Sequence, residues 1–188
     1  MPSQCSITQV VSSAVDSVKK FAKISNIFFN FEKRNGYLGW ENWLTVEIFR
    51  KLNSSCVVPY AKYSCGKGNK SNYMDLKVGG SASMAIEIKT NYLDQKEVNE
   101  MKGELSFPER INKDISKVKI EKSVAYRLIL IAIVFDTLET RKKFESILKG
   151  NEDVYIKRMN WNYYNCSVRG RGQIILLVIS NSQRLPNI

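Results

Sequence analysis

Two runs of sequence decide the fold: Tyr73-Met74-Asp75-Leu76-Lys77-Val78 and Met84-Ala85-Ile86-Glu87-Ile88-Lys89-Thr90. Both alternate. Met74, Leu76 and Val78 fall on one face, with Tyr73, Asp75 and Lys77 on the other. In the second run Met84, Ile86 and Ile88 alternate with Ala85, Glu87 and Lys89. A period of two marks a strand with one buried face. Gly79-Gly80-Ser81-Ala82-Ser83 lies between the runs and reads as a turn. The expectation is a β-hairpin centred near Ser81, which sets Asp75 directly across from Glu87. Residues paired on one face have Cβ atoms about 5 Å apart. Two carboxylates at that separation repel, and no arginine stands beside either in the sequence. A hard cation such as Mg²⁺ resolves the conflict, because it takes oxygen ligands from one or two carboxylates together with water and phosphate. Lys89 shares the face of Glu87. The alternative is a solvated strand face on which Lys77 and Lys89 pair with the acids across the strands. Glu87 and Lys89 are both expected on the open face of the sheet.

The totals narrow the chemistry. A chain of 188 residues suits one domain with a real core. Its 29 Lys and Arg against 18 Asp and Glu give a net charge of +11. That surplus points to a polyanionic partner, nucleic acid first and an anionic membrane surface second. The chain contains no histidine, which excludes Ser-His-Asp and Cys-His catalysis and histidine-ligated zinc. Cys5, Cys56, Cys65 and Cys166 form no C-x-x-C pair. Reduced core thiols in a cytoplasmic protein fit them better than a disulfide or a four-cysteine zinc site. No apolar run is long enough to span a membrane, and the first residues do not read as a signal peptide.

Upstream of the hairpin, Trp40 to Leu52 reads as a helix. At about 100° per residue, Trp40, Trp43, Leu44, Glu47, Ile48 and Lys51 share one broad arc. Glu47 is thus an acid among apolar neighbours, where burial costs free energy without a partner. It either pairs with Lys51 one turn on or reaches a metal site. Glu41 lies near the helix N-terminus, where the dipole favours an acid in any case, and so ranks lower. Cys56 to Tyr63 reads as a strand, and Pro59 suits it to an edge or a bulge. Ser64 to Asn72 is a polar loop carrying Lys67 and Lys70, either a plain surface loop or one that contacts phosphate. It lacks the spacing of a Walker loop. Further back, Ser6-Ile7-Thr8-Gln9 resembles a capping box. Val11, Val15, Val18 and Ala22 follow it at helical spacing, so a helix is expected over 6–23. Ile24 to Gly36 has no clear period and is expected to be a connecting segment anchored by Phe28, Phe29 and Phe31.

Downstream, Asn91 to Leu105 is polar and charged and is expected to be a loop with a short helical turn. Ser106-Phe107-Pro108 looks like a helix start. Ile111, Ile115 and Val118 follow at helical spacing, with Lys113 and Lys117 on the opposite face. Tyr126 to Phe135 is near-continuously apolar and β-branched, which predicts a strand covered on both faces. Leu138 to Leu148 is expected to be helical, and Gln173 to Ser180 is a second buried strand. Val154 to Gly172 interleaves Tyr155, Trp161, Tyr163 and Tyr164 with Arg158, Arg169 and Arg171. That pattern suits either a nucleic-acid contact surface or a hairpin on the sheet edge. No repeat or linker divides the chain, so one domain over 1–188 is expected.

The element order and the Asp75…Glu87-Ile88-Lys89 constellation resemble the PD-(D/E)xK nuclease superfamily, the restriction-endonuclease-like fold. The resemblance covers roughly 38–180. Asp75 matches the first acid, Glu87 the second, Lys89 the lysine and Glu47 the acid from the preceding helix. The proline of the family's motif is absent, since Met74 precedes Asp75. Glu100-Met101-Lys102 is another E-x-K, but no alternating strand surrounds it. The resemblance implies an α/β fold with a mixed central sheet flanked by helices, and a metal-dependent endonuclease acting on DNA. It also implies Mg²⁺, with Mn²⁺ able to substitute, held by Asp75, Glu87, the Ile88 carbonyl and Glu47. Lys89 would orient water and offset phosphate charge. Lys67, Lys70, Lys113, Lys117, Arg169 and Arg171 are expected to contact nucleic acid. A homodimer is plausible for a chain this short. The other expectation is an idle nucleic-acid-binding module or scaffold subunit on the same fold.

Overall fold

A computed structural model describes residues 5–35, 40–52, 57–62, 73–80, 82–93, 96, 98, 121, 123–150, 159–167 and 173–188. The described elements are α1 (Ile7–Asn35), α2 (Trp40–Leu52), β1 (Val57–Lys62), β2 (Tyr73–Val78), β3 (Met84–Leu93), β4 (Tyr126–Phe135), α3 (Leu138–Gly150), β5 (Asn160–Asn165) and β6 (Gln173–Ser180). The six strands form one sheet in the order β1-β2-β3-β4-β6-β5. β3 and β4 are parallel, and the other neighbours are antiparallel. The fold is therefore α/β with a mixed sheet.

The central strands are covered on both faces, as the apolar runs predict. In β4, Leu128, Leu130, Ala132 and Val134 face a core shared with Val10, Val11, Ala14, Val15, Val18 and Phe21 of α1 and Leu44 and Ile48 of α2. Ile129, Ile131, Ile133 and Phe135 face a second core that includes Phe144 of α3. β6 repeats the division, with Ile174, Leu176 and Val178 on one side and Ile175, Leu177 and Ile179 on the other. Alternation sends successive side chains to opposite faces, so two helical layers sandwich one sheet.

The helix ends follow local chemistry. Ser6 Oγ accepts from the Gln9 amide at 3.2 Å, and the Ser6 amide donates back to Gln9 Oε1 at 2.7 Å. This is the predicted reciprocal cap. Thr137 Oγ1 accepts from the Thr140 amide at 3.1 Å and caps α3. α1 runs past the expected end at residue 23 to Asn35. No proline or glycine interrupts 7–35, and the first glycine is Gly36, so backbone propensity continues the helix where side-chain periodicity fades. β3 also outruns expectation, reaching Leu93, because β4 pairs with it along its whole length. The aromatic-rich stretch after α3 supplies β5 at the sheet edge, where the Trp161 and Tyr163 rings stack with centroids 6.4 Å apart. The helix expected from Ser106 and the loop from Ser64 lie outside the described residues. Among the described residues, no helix is long and apolar enough to cross a membrane.

Candidate active site

The site begins with the β2–β3 hairpin. Its register pairs Val78 with Met84, Lys77 with Ala85 and Leu76 with Ile86. That is the predicted registration about Ser81, and the next step would set Asp75 against Glu87. Gly80 has φ +93° in the turn, a left-handed conformation that glycine adopts without a Cβ clash. The ladder stops at Leu76, while β3 stays paired to β4. β2 and β3 thus part at the two acids.

Asp75 bridges that parting. The Ile88 amide donates to Asp75 Oδ2 at 2.6 Å. A carboxylate has replaced the main-chain acceptor that a continued ladder would supply. The N–H and C=O of one strand residue point to the same side, so the Ile88 carbonyl also faces β2. On its other side Asp75 meets a break in β1. The β1–β2 register pairs Pro59 with Leu76 and Ala61 with Met74, and it skips the intervening Tyr60 and Asp75. Tyr60 has φ +50°, left-handed and strained for a bulky residue. The break re-aims side chains, as bulges do. Leu76 and Val78 join the helix-side core, but Met74 leaves their face and packs with Ala85, Val124 and Ala61. The single apolar face expected for Met74, Leu76 and Val78 is therefore interrupted at Asp75.

Glu87 is 2% exposed, not on the open face expected for it. Its parallel partner Ile129 is buried too. Lys89 Nζ lies 3.9 Å from Glu87 Oε2 and 3.2 Å from Glu41 Oε1. The ammonium is held between two carboxylates from different elements. Lys77, the other cation of the solvated-face alternative, points its Nζ to Ser123 Oγ at 3.5 Å.

Glu41, ranked below Glu47 from sequence, is the acid of α2 that meets Lys89. Leu44, Thr45 and Ile48 of α2 are buried, and Glu41 continues their stripe one turn earlier. That i, i+3, i+4, i+7 series was the signal, because it marks the face of α2 turned to the sheet. Glu47 lies six residues further on, roughly 120° around the helix and about 9 Å along it. It is engaged elsewhere: Oε1 is 2.8 Å from Lys20 Nζ and 2.7 Å from Arg50 Nη2. The expected partner Lys51 instead lies 3.8 Å from Asp16 Oδ2. Glu47 is thus tied into the α1–α2 contact rather than set toward the hairpin as the ligand role expected of it would need.

Hydrogen bonds from Arg50 and then Lys20 hold the Glu47 carboxyl down from its ordinary 4.5 to about 2, against the opposing effect of burial. A depressed folded-state pKa gives stability that is full above the unfolded value and lost as pH falls through the folded one. Thermal melts should therefore show Glu47→Gln below wild type at pH 7, with the gap closing between pH 4.5 and about 2. A gap that stays constant down to pH 2 would contradict the ion-pair role.

The candidate donors on the two strands of the hairpin are all oxygen: Asp75, Glu87 and the Ile88 carbonyl. This set suits a hard cation, which keeps several waters and needs only one or two carboxylates. No group of three or more His, Cys, Asp or Glu gathers as a metal cluster among the described residues. Cys5 and Cys166 are free and buried, and burial pushes the Cys166 thiol up to about 12. Cys56 and Cys65 lie outside the described residues, as do the expected nucleic-acid contacts Lys67, Lys70, Lys113, Lys117, Arg169 and Arg171. Comparisons with protein-family models, curated proteins and solved structures find no match.

Proposed function

We propose that this chain is a metal-dependent nuclease of the PD-(D/E)xK type that hydrolyses phosphodiester bonds in DNA. The observation that carries the proposal is the junction of β2 and β3. There Asp75 accepts from the Ile88 amide at 2.6 Å, and Lys89 stands between Glu41 and Glu87. The meander β1-β2-β3, followed by β4 parallel to β3, agrees with a restriction-endonuclease-like core. The charge of +11 agrees with a polyanionic substrate.

Asp75, Glu87 and the Ile88 carbonyl would hold Mg²⁺ or Mn²⁺. The chemistry such an ion supplies when bound is a more acidic water and neutralised phosphate charge. The chain's own residues do the rest. The bond from the Ile88 amide fixes the rotamer of Asp75 and leaves its second oxygen for a ligand. Burial of Glu87 keeps bulk water from one side of the site and strengthens local electrostatics. Lys89, held by Glu41, presents a positive charge toward a substrate phosphate and a donor to the attacking water.

Supercoiled plasmid incubated with the protein in Mg²⁺, Mn²⁺ or EDTA tests the proposal. Nicking or linearisation in either metal, and none in EDTA, is the expected result. Salt-sensitive DNA binding with no cleavage in either metal would select the idle binding module instead.

A further inference from the structure

Three of the six exposed large apolar side chains among the described residues lie on the β1–β2 hairpin: Val58, Tyr60 and Tyr73. Tyr60 is 50% and Tyr73 53% exposed. Both flank Asp75. Tyr60 occupies the skipped position opposite it, and Tyr73 lies two residues before it on β2, paired with Lys62. Two strand positions, about 7 Å along the strands, separate the backbones of Tyr60 and Tyr73. Exposed apolar side chains grouped beside a polar site offer a surface for a ligand.

The backbone excludes one occupant. β1 is an edge strand, and a free edge invites another strand. Pro59 has no N–H to offer, however, and the left-handed Tyr60 turns the ladder groups out of line. A second copy or a peptide added as a strand finds no regular template here. What remains accessible is side-chain surface: aromatic rings, on a chain with a surplus of positive charge, beside a site proposed to take phosphodiesters.

We infer that Tyr60 and Tyr73 form a stacking platform for unpaired nucleobases, so that the site takes single-stranded nucleic acid in preference to an intact duplex. Every base has a π face, and stacking on an aromatic side chain needs no sequence match. A duplex hides those faces inside its stack, so only unpaired bases can reach the rings. Tyr60 occupies the strand position across from Asp75, and half of its surface is open to solvent there. The inference rests on the nuclease reading for the identity of the site, but binding tests it without cleavage.

The test is fluorescence anisotropy in EDTA, with labelled oligothymidylate and a blunt hairpin duplex of equal length. Wild type should favour the single strand. Tyr60→Gly keeps the left-handed backbone without strain and removes the ring. It should lose about tenfold in single-strand affinity and little on the duplex. Tyr60→Phe keeps the ring and should bind as wild type, while Tyr73→Ala should lose a similar factor. A single 2-aminopurine in the strand should be quenched by wild type and not by Tyr60→Gly. Equal affinity for strand and duplex, or full affinity of both ring-deleted variants, overturns the inference. So does conversion of a dimer to a monomer by Tyr60→Gly in sedimentation, which would assign the rings to an interface between copies. A protein that binds single strands through Tyr60 but never cuts them keeps the inference and loses the nuclease reading. One that cuts duplexes without regard to Tyr60 does the reverse.

Discussion

Glu87→Gln is expected to lower metal-dependent cleavage by at least about a hundredfold while leaving the fold in place. The amide has the size of the carboxylate but not the charge that would hold a divalent cation. Glu87 is 2% exposed, so a neutral group there also avoids the desolvation that burial imposes on a charge. Melting temperature should therefore change little. Lys89→Ala is the companion. It should also stop cleavage, but it removes a cation 3.9 Å from Glu87 that competes with a metal for the same oxygens. Mn²⁺ binding by calorimetry should be weakened in Glu87→Gln and kept or tightened in Lys89→Ala. A general loss of folding would impair both variants alike, so the contrast tests the separate roles. Cleavage by both variants at the wild-type rate would end the nuclease proposal.

Glu41→Gln should reduce cleavage by about 10- to 100-fold, the usual cost of losing a group that orients another at an active site. Its carboxylate lies 3.2 Å from Lys89 Nζ, and without that charge the lysine loses one of its two anchors. The effect should fall on the rate constant more than on substrate affinity, because Glu41 acts through Lys89. Glu47→Gln is the control on the same helix. It breaks contacts to Lys20 and Arg50, so it should lower thermal stability and spare cleavage. The opposite pattern, with activity lost in Glu47→Gln and intact in Glu41→Gln, would restore the ligand role that the family resemblance first suggested for Glu47.

By itself the sequence determined most of the strands and the β2–β3 hairpin. Alternation in 73–90, the two-faced apolar runs of β4 and β6 and the Ser6–Gln9 cap are local signals. Each is written in a period or in contacts three residues long, and each survives into the structure. The register up to Leu76 and Ile86 was legible for the same reason, since a short turn fixes which residues face each other, but the expected pairing of Asp75 with Glu87 gives way to the bond from the Ile88 amide. What only the tertiary structure decided depends on meetings between distant segments. Strand alternation could not foresee that Tyr60 breaks the β1–β2 pairing beside Asp75 and sends Met74 to other neighbours. Nor could it foresee that Glu87 is buried. The choice of Glu41 over Glu47 is the clearest case. Both acids lie on one helix, and its periodicity offers more than one plausible inward arc. Only the packing of α2 on α1 and the sheet selects the arc, sending Glu47 to cations on α1 and α2 and Glu41 to the lysine of β3.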